Sequence, residues 1–213
     1  RQKPAADGSV GITLSLYSFG GEAPKELSFV EPGANYFHPY FDPESYTLYF
    51  ATDAGPGNDL DLYESTYSFD GVWSEPLPLA YLNSGENEVF PTVLSAEKIA
   101  FTRVTKNYGM QLYTWTLGDT AATLFDRNGR GDDFNLVLVN DTTAMMSQSK
   151  RKGQPSNLIT LTIPTVQQQP FAESESEEAS EESSTASTEI ADNAVSNSDA
   201  GQNGAPKNSG SNQ

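Results

Sequence analysis

The chain has 213 residues, with 29 acids, 12 bases, one histidine, no cysteine and a formal net charge of −17. That balance argues against a nucleic-acid partner, which requires clustered Lys and Arg, and against electrostatic docking on an anionic membrane leaflet. Without Cys there are no disulfides, thiolate metal ligands or cysteine nucleophiles. No apolar run approaches the roughly 18 residues of a membrane span, so no membrane-spanning helix is expected.

Residues 1–10 read as an N-terminal extension. The chain starts at Arg1 without Met and shows no signal peptide, as expected of a processed product or an excerpt of something longer. Two strands are then expected, Gly11–Ser18 and Lys25–Val30. "YFHPYF" (Tyr36–Phe41) enters the next unit. The turn "DPES" follows, with Pro43 fixing its own φ and Asp42 free to bond the backbone ahead. "TLYFATD" (Thr47–Asp53) and "LDLYESTYS" (Leu60–Ser68) alternate with strand-favouring residues, separated by the loop "DAGPGND". "VWSEPLPL" (Val72–Leu79) closes the unit as a proline-broken strand suited to an edge. A second unit from Asn83 offers "VFPTVLS", "KIAFTRV", "MQLYTWTL" and "AATLFD". A third, from Asp132, offers "FNLVLVN", "TAMMSQS" and "SNLITLTI".

These units repeat in sequence. "LYSFGGEAPKEL" (Leu16–Leu27) aligns with "TYSFDGVWSEPL" (Thr66–Leu77). "DLY" at Asp61–Tyr63 aligns with "QLY" at Gln111–Tyr113 and "NLI" at Asn157–Ile159. "YFHPYF" aligns with "EVFPTV" (Glu88–Val93) and "DDFNLV" (Asp132–Val137), which puts Phe90 and Phe134 near the slot of His38. Four short strands recurring every 45–50 residues or so are the mark of β-propeller blades. The expected fold is therefore an all-β propeller with about three to four four-stranded blades, spanning residues 11–164. A β-sandwich would also supply many short strands but does not require its hairpins to repeat. The two N-terminal strands either complete the last blade or are the remnant of an upstream one, the chain then being a fragment of a larger propeller. From about Thr165 apolar residues nearly vanish, and nine acids face a single base. Residues 165–213 are expected to be a disordered acidic, Ser/Glu-rich tail or linker.

The first full unit resembles the PD40, or WD40-like, β-propeller repeat. The resemblance rests on His38-Pro39, Asp42-Pro43-Glu44-Ser45, Leu48-Tyr49-Phe50, the loop Gly55–Asn58, Asp61-Leu62-Tyr63 and Gly71-Val72-Trp73-Ser74-Glu75-Pro76. The stretch Asn83–Glu88 is similar to the family's Asn-x-x-x-x-Glu lead-in to the next blade. The match is close in one unit, partial in the second and faint in the third. The family's Asp-Gly turn is missing, and the later copies lack His-Pro.

Such repeats occur in the TolB-type propeller and in envelope proteins that join the propeller to an OmpA-like peptidoglycan-binding domain. The resemblance implies a non-enzymatic scaffold in the periplasm or at the outer membrane, with a protein or peptidoglycan-associated partner. It also implies mainly structural roles for His38, Pro39, Tyr49, Asp61, Tyr63 and Trp73. The alternative is the propeller segment of a hydrolase or polysaccharide-active enzyme whose catalytic part lies outside this chain.

Chemistry-bearing candidates are few. His38 has no second histidine beside it, and as a structural residue it is expected to bond a neighbouring unit's backbone or a buried acid. Asp53, Asn58, Asp59 and Asp61 supply oxygens of the kind Ca²⁺ accepts, as does "DRNGRGDD" (Asp126–Asp133), without EF-hand spacing or its closing Glu. Gly/Asn/Asp loops are equally ordinary hairpin chemistry, and no cofactor is expected. No G-x-S-x-G elbow, Ser-x-x-Lys context or phosphate loop is present. Tyr40, Tyr46, Tyr67, Trp73 and Trp115 could stack on sugars or fill space between blades.

Overall fold

A computed structural model describes residues 2–163, except 18, 19, 22 and 58, and every element it contains is a strand. The chain divides into a unit Arg1–Pro170, which holds all fifteen strands, and a second unit, Phe171–Gln213. The expected tail, 165–213, and the Pro164 end of the repeat region lie outside the described residues.

The first four strands are short: β1 (Gln2–Pro4) pairs with β2 (Val10–Ile12), and β3 (Ser15–Leu16) with β4 (Lys25–Glu26). The expected extension 1–10 thus contains a strand of its own. Of the two long strands expected here, the first is interrupted at Thr13 and Leu14, and the second ends at Glu26, after which Leu27, Phe29 and Val30 pack into the core. Next comes a sheet of four sequential antiparallel strands, β5 (Tyr36–Asp42), β6 (Thr47–Thr52), β7 (Asp61–Thr66) and β8 (Leu77–Pro78). A second sheet repeats the order with β9 (Asn87–Ser95), β10 (Lys98–Thr105), β11 (Gly109–Thr116) and β12 (Thr123–Leu124). The third has three strands, β13 (Asp133–Asn140), β14 (Thr143–Ser149) and β15 (Ser156–Thr162). β8 is far shorter than the stretch Val72–Leu79 because Pro76 and Pro78 remove the N–H groups a longer ladder needs.

The three sheets share one register. Tyr36, Thr52 and Asp61 lie side by side across the first. Glu88, Arg103 and Gln111 do so across the second, and Asp133, Gln148 and Asn157 across the third. The "DLY", "QLY" and "NLI" triplets therefore occupy equivalent positions. The N-terminal match differs by two residues. Ile12 N–H donates to Asn35 Oδ1 at 3.2 Å as Leu60 N–H does to Asn87 Oδ1 at 2.7 Å, an offset of 48 residues. At the hairpin tips Gly21 and Gly71 both take positive φ, 50 residues apart, so the second hairpin is the longer.

Each opening strand carries a bulge, after its second paired residue in the first and third sheets and after its third in the second, and the bulged residue is left-handed: His38 (φ 51°), Phe90 (φ 55°) and Asn135 (φ 54°). Sequence alignment puts Phe134 in the third slot. The backbone puts Asn135 there, one position later, and Asn tolerates this conformation best of the three. A left-handed non-glycine residue costs about 1–2 kcal/mol, so packing must hold it in place. It does, because the bulge bends an edge strand against the next sheet.

Consecutive sheets bury apolar faces against one another. Leu27, Phe29 and Val30 pack on Tyr36, Leu48 and Phe50 of the first sheet. Its opposite face, with Ala51 and Leu62, meets Val89, Ile99 and Phe101 of the second. The second sheet's far face, with Ala100 and Leu112, meets Leu136, Ala144 and Met146 of the third.

Candidate functional site

His38 does not make the polar contact expected of it. Its Nδ1 is buried without a hydrogen-bond partner, and its ring lies 3.7 Å, centroid to centroid, from Phe90 on the neighbouring sheet. Burial pushes its pKa below the ordinary 6.5, so the imidazole stays neutral. Phe90 in turn lies 6.0 Å from Phe134. Pro39 follows the bulge on an edge strand, where a missing N–H is tolerated. Tyr49 packs on the interface between the first two sheets, and burial, with Glu64 nearby, pushes its pKa up to about 12. Tyr63 stacks on Phe50 at 6.3 Å. His38, Tyr49 and Tyr63 thus pack against neighbouring side chains.

The acidic and Asn-rich loops hold the sheets together. Leu62 N–H donates to Asn83 Oδ1 at 2.8 Å, and Asn83 Nδ2 donates to the Leu62 carbonyl at 3.0 Å. Asn128 does the same to Leu112, at 3.2 and 2.8 Å. Five residues after each Asn comes a buried acid. Glu88 accepts from Ser84 N–H and Oγ and from Arg103 Nε at 2.6 Å. Asp133 accepts from Gly129 N–H and from Gln148 Nε2, also at 2.6 Å. Burial outweighs these bonds and raises the pKa of both acids. The Asn-x-x-x-x-Glu lead-in read at Asn83 recurs as Asn128…Asp133, with Asp for Glu and Gln148 in the place of Arg103.

The Ca²⁺ candidates are largely consumed in the same way. Asp53 accepts from Asn35 N–H and Nδ2 at 2.7 and 2.6 Å. Asp132 accepts from Met110 N–H and Gly153 N–H. Asn58 lies outside the described residues. Asp61 keeps one buried oxygen, Oδ1, without a partner, and burial raises its pKa with help from Asp59. Among the described residues no three acidic or histidine side chains converge on one point. In the tripeptide Arg130-Gly131-Asp132 only Gly131 is buried, where a Cβ would run into the Ser149 carbonyl; Arg130 is exposed, and Asp132 is half-buried and bonded within the fold.

What remains for a ligand is an aromatic strip on the outer side of the first sheet. It runs from the buried Phe29 to Trp73 (6.4 Å), on to Phe41 (6.2 Å), Tyr46 (6.5 Å) and finally Phe69 (5.7 Å). Tyr67 lies beside Trp73 at 4.9 Å. Phe69, at the hairpin tip, is 98% exposed. Tyr46 is held outward by a left-handed backbone, φ 54°. Leu16, Lys25, Leu27 and Val72 join Tyr67 and Trp73 around a groove of about 230 Å³. Of the other aromatics expected to be available, Trp115 is buried with its Nε1 on the Asp119 carbonyl, and Tyr40 donates to the Val93 carbonyl. Tyr46, Tyr67 and Trp73 of the strip were among the aromatics expected to be available; Phe41 and Phe69 were not, because alternation reports which face of a strand is apolar and not whether another layer covers it.

Compared with known families, the chain matches no family model, and no curated protein matches it.

Proposed function

We propose that this chain is a non-enzymatic scaffold of the bacterial envelope, built from β-propeller blades and holding a protein or peptidoglycan-associated partner on the outer side of its first full sheet. The observation that carries the reading is the aromatic strip with its groove: exposed Phe41, Tyr46 and Phe69 run on to half-buried Trp73 and Tyr67, which line the groove with Lys25. The blade reading is supported by three meanders in one register, each stacked on the next through its opening strand. The envelope assignment rests on the resemblance to the PD40 repeat.

Asn83, Asn128, Glu88 and Asp133 are engaged in stapling sheets, and the exposed rings offer binding by their faces. The test is quantitative cross-linking capture from envelope extract and sedimentation with purified peptidoglycan, comparing the native chain with Phe69→Ser. Phe69 is exposed, so the substitution leaves folding intact. A partner captured by the native chain and lost with the variant supports the proposal. Identical capture by both chains, or none by either, counts against it.

A further inference from the structure

Leu62, Leu112 and Leu158 hold equivalent positions, paired with Ala51, Thr102 and Ser147. The first two are fully buried, whereas Leu158 is 65% exposed. Two things cover the sisters: the apolar face of the next sheet, which the third sheet lacks among the described residues, and a fourth strand. Leu62 meets a fourth strand, with Leu79 N–H on its carbonyl at 2.9 Å and Asn83 on both its backbone groups. Leu112 meets Phe125 N–H at 2.9 Å and Asn128 in the same manner. Among the described residues no fourth strand pairs with β15. The shared register turns the Leu158 N–H and C=O to the same outer side. Val137 and Val139, on the same face of the third sheet by alternation, are exposed as well.

From Ser156 to Thr162 this edge has no charged residue and no proline, the devices that discourage strand addition. β8, by contrast, has Pro78 within it and Pro76 beside it.

We propose that the outer edge of β15 is a strand-addition site for an extended segment of another polypeptide, one whose large apolar residue is followed three or four residues later by Asn. The apolar side chain covers Leu158, and the Asn side chain takes the Leu158 N–H and C=O. Both sister sheets display that occupant, as Leu79 with Asn83 and as Phe125 with Asn128. Main-chain bonds supply affinity and the Asn supplies register. The inference rests on this edge alone and is independent of the propeller and envelope readings.

The test uses the full chain and a fluorescent peptide copying its residues 121–133, read by anisotropy. Saturable binding is expected. An Asn128→Ala peptide should weaken it at least tenfold. So should Thr160→Pro in the chain, which removes an outward N–H while leaving the ladder to β14. Three results overturn the proposal. One is no saturable binding, including the case in which the edge is filled from within the chain. Another is binding indifferent to both substitutions. The last is self-association of the chain that Thr160→Pro abolishes and the peptide does not compete.

Discussion

Replacing Asn83 by Ala removes the side chain that binds both backbone groups of Leu62, a residue with no exposed surface. The two groups fare differently. The Leu62 carbonyl keeps the Leu79 N–H at 2.9 Å, so it loses one of two partners, about 1 kcal/mol. The Leu62 N–H loses its acceptor in a buried setting, which costs about 1–3 kcal/mol. The expected destabilisation is therefore about 2–4 kcal/mol, large for one polar side chain. Asn83→Asp should rescue little, because the N–H regains an acceptor but a carboxylate oxygen is set against the Leu62 carbonyl. Asn140, which accepts only from Thr142 N–H and Oγ1 at an exposed turn, is the control; its Ala variant should cost less than about 1 kcal/mol. Urea unfolding followed through Trp73 and Trp115 measures all three variants. A loss at Asn83→Ala no greater than at Asn140→Ala would refute the stapling argument.

Glu88 is wholly buried, and among the described residues Arg103 is its only cation. Arg103→Ala should cost about 3–5 kcal/mol by stranding that carboxylate. The double variant Glu88→Asp with Arg103→Gln, copying Asp133 and Gln148, should recover much of the loss, and equal urea midpoints for the single and double variants would contradict this. His38 is neutral in the fold, with its pKa below 6.5. The unfolded chain takes up its proton first, so His38 lowers stability as pH falls from about 6.5 toward the depressed value. The half-buried Asp61 and Glu64 and the buried Glu88 and Asp133 act in the opposite sense, their raised values giving stability at low pH that is lost as pH rises past the ordinary 3.8 and 4.5. His38→Phe isolates the first effect: its melting-temperature advantage over the native chain should be larger at pH 5.5 than at pH 7.5. An advantage that does not change with pH would show that His38 does not titrate on unfolding.

The strands of the three full meanders were legible because alternation and β-branched residues mark them; β6 and β10 fall within a residue of the expected spans. β8 was overestimated, since Pro76 and Pro78 thin a ladder that side-chain pattern alone would continue. The bulges were not legible at all. His38 and Phe90 carry no glycine-like signal of a left-handed backbone, and their conformation is imposed by the neighbouring sheet. The one-residue slip from Phe134 to Asn135 follows, because sequence alignment matched aromatic to aromatic where the chain conserves backbone geometry. The stapling role of Asn128 did leave a trace: its spacing to Asp133 equals that of Asn83 to Glu88. Asp for Glu, and the distant Gln148 for Arg103, concealed it.

The staples join each sheet only to the one beside it, through Asn83 across one junction and Asn128 across the next. Stability in such an array is close to a sum of nearest-neighbour couplings, as in a one-dimensional chain of coupled units. A lesion at the second junction can then release the third sheet without loosening the first.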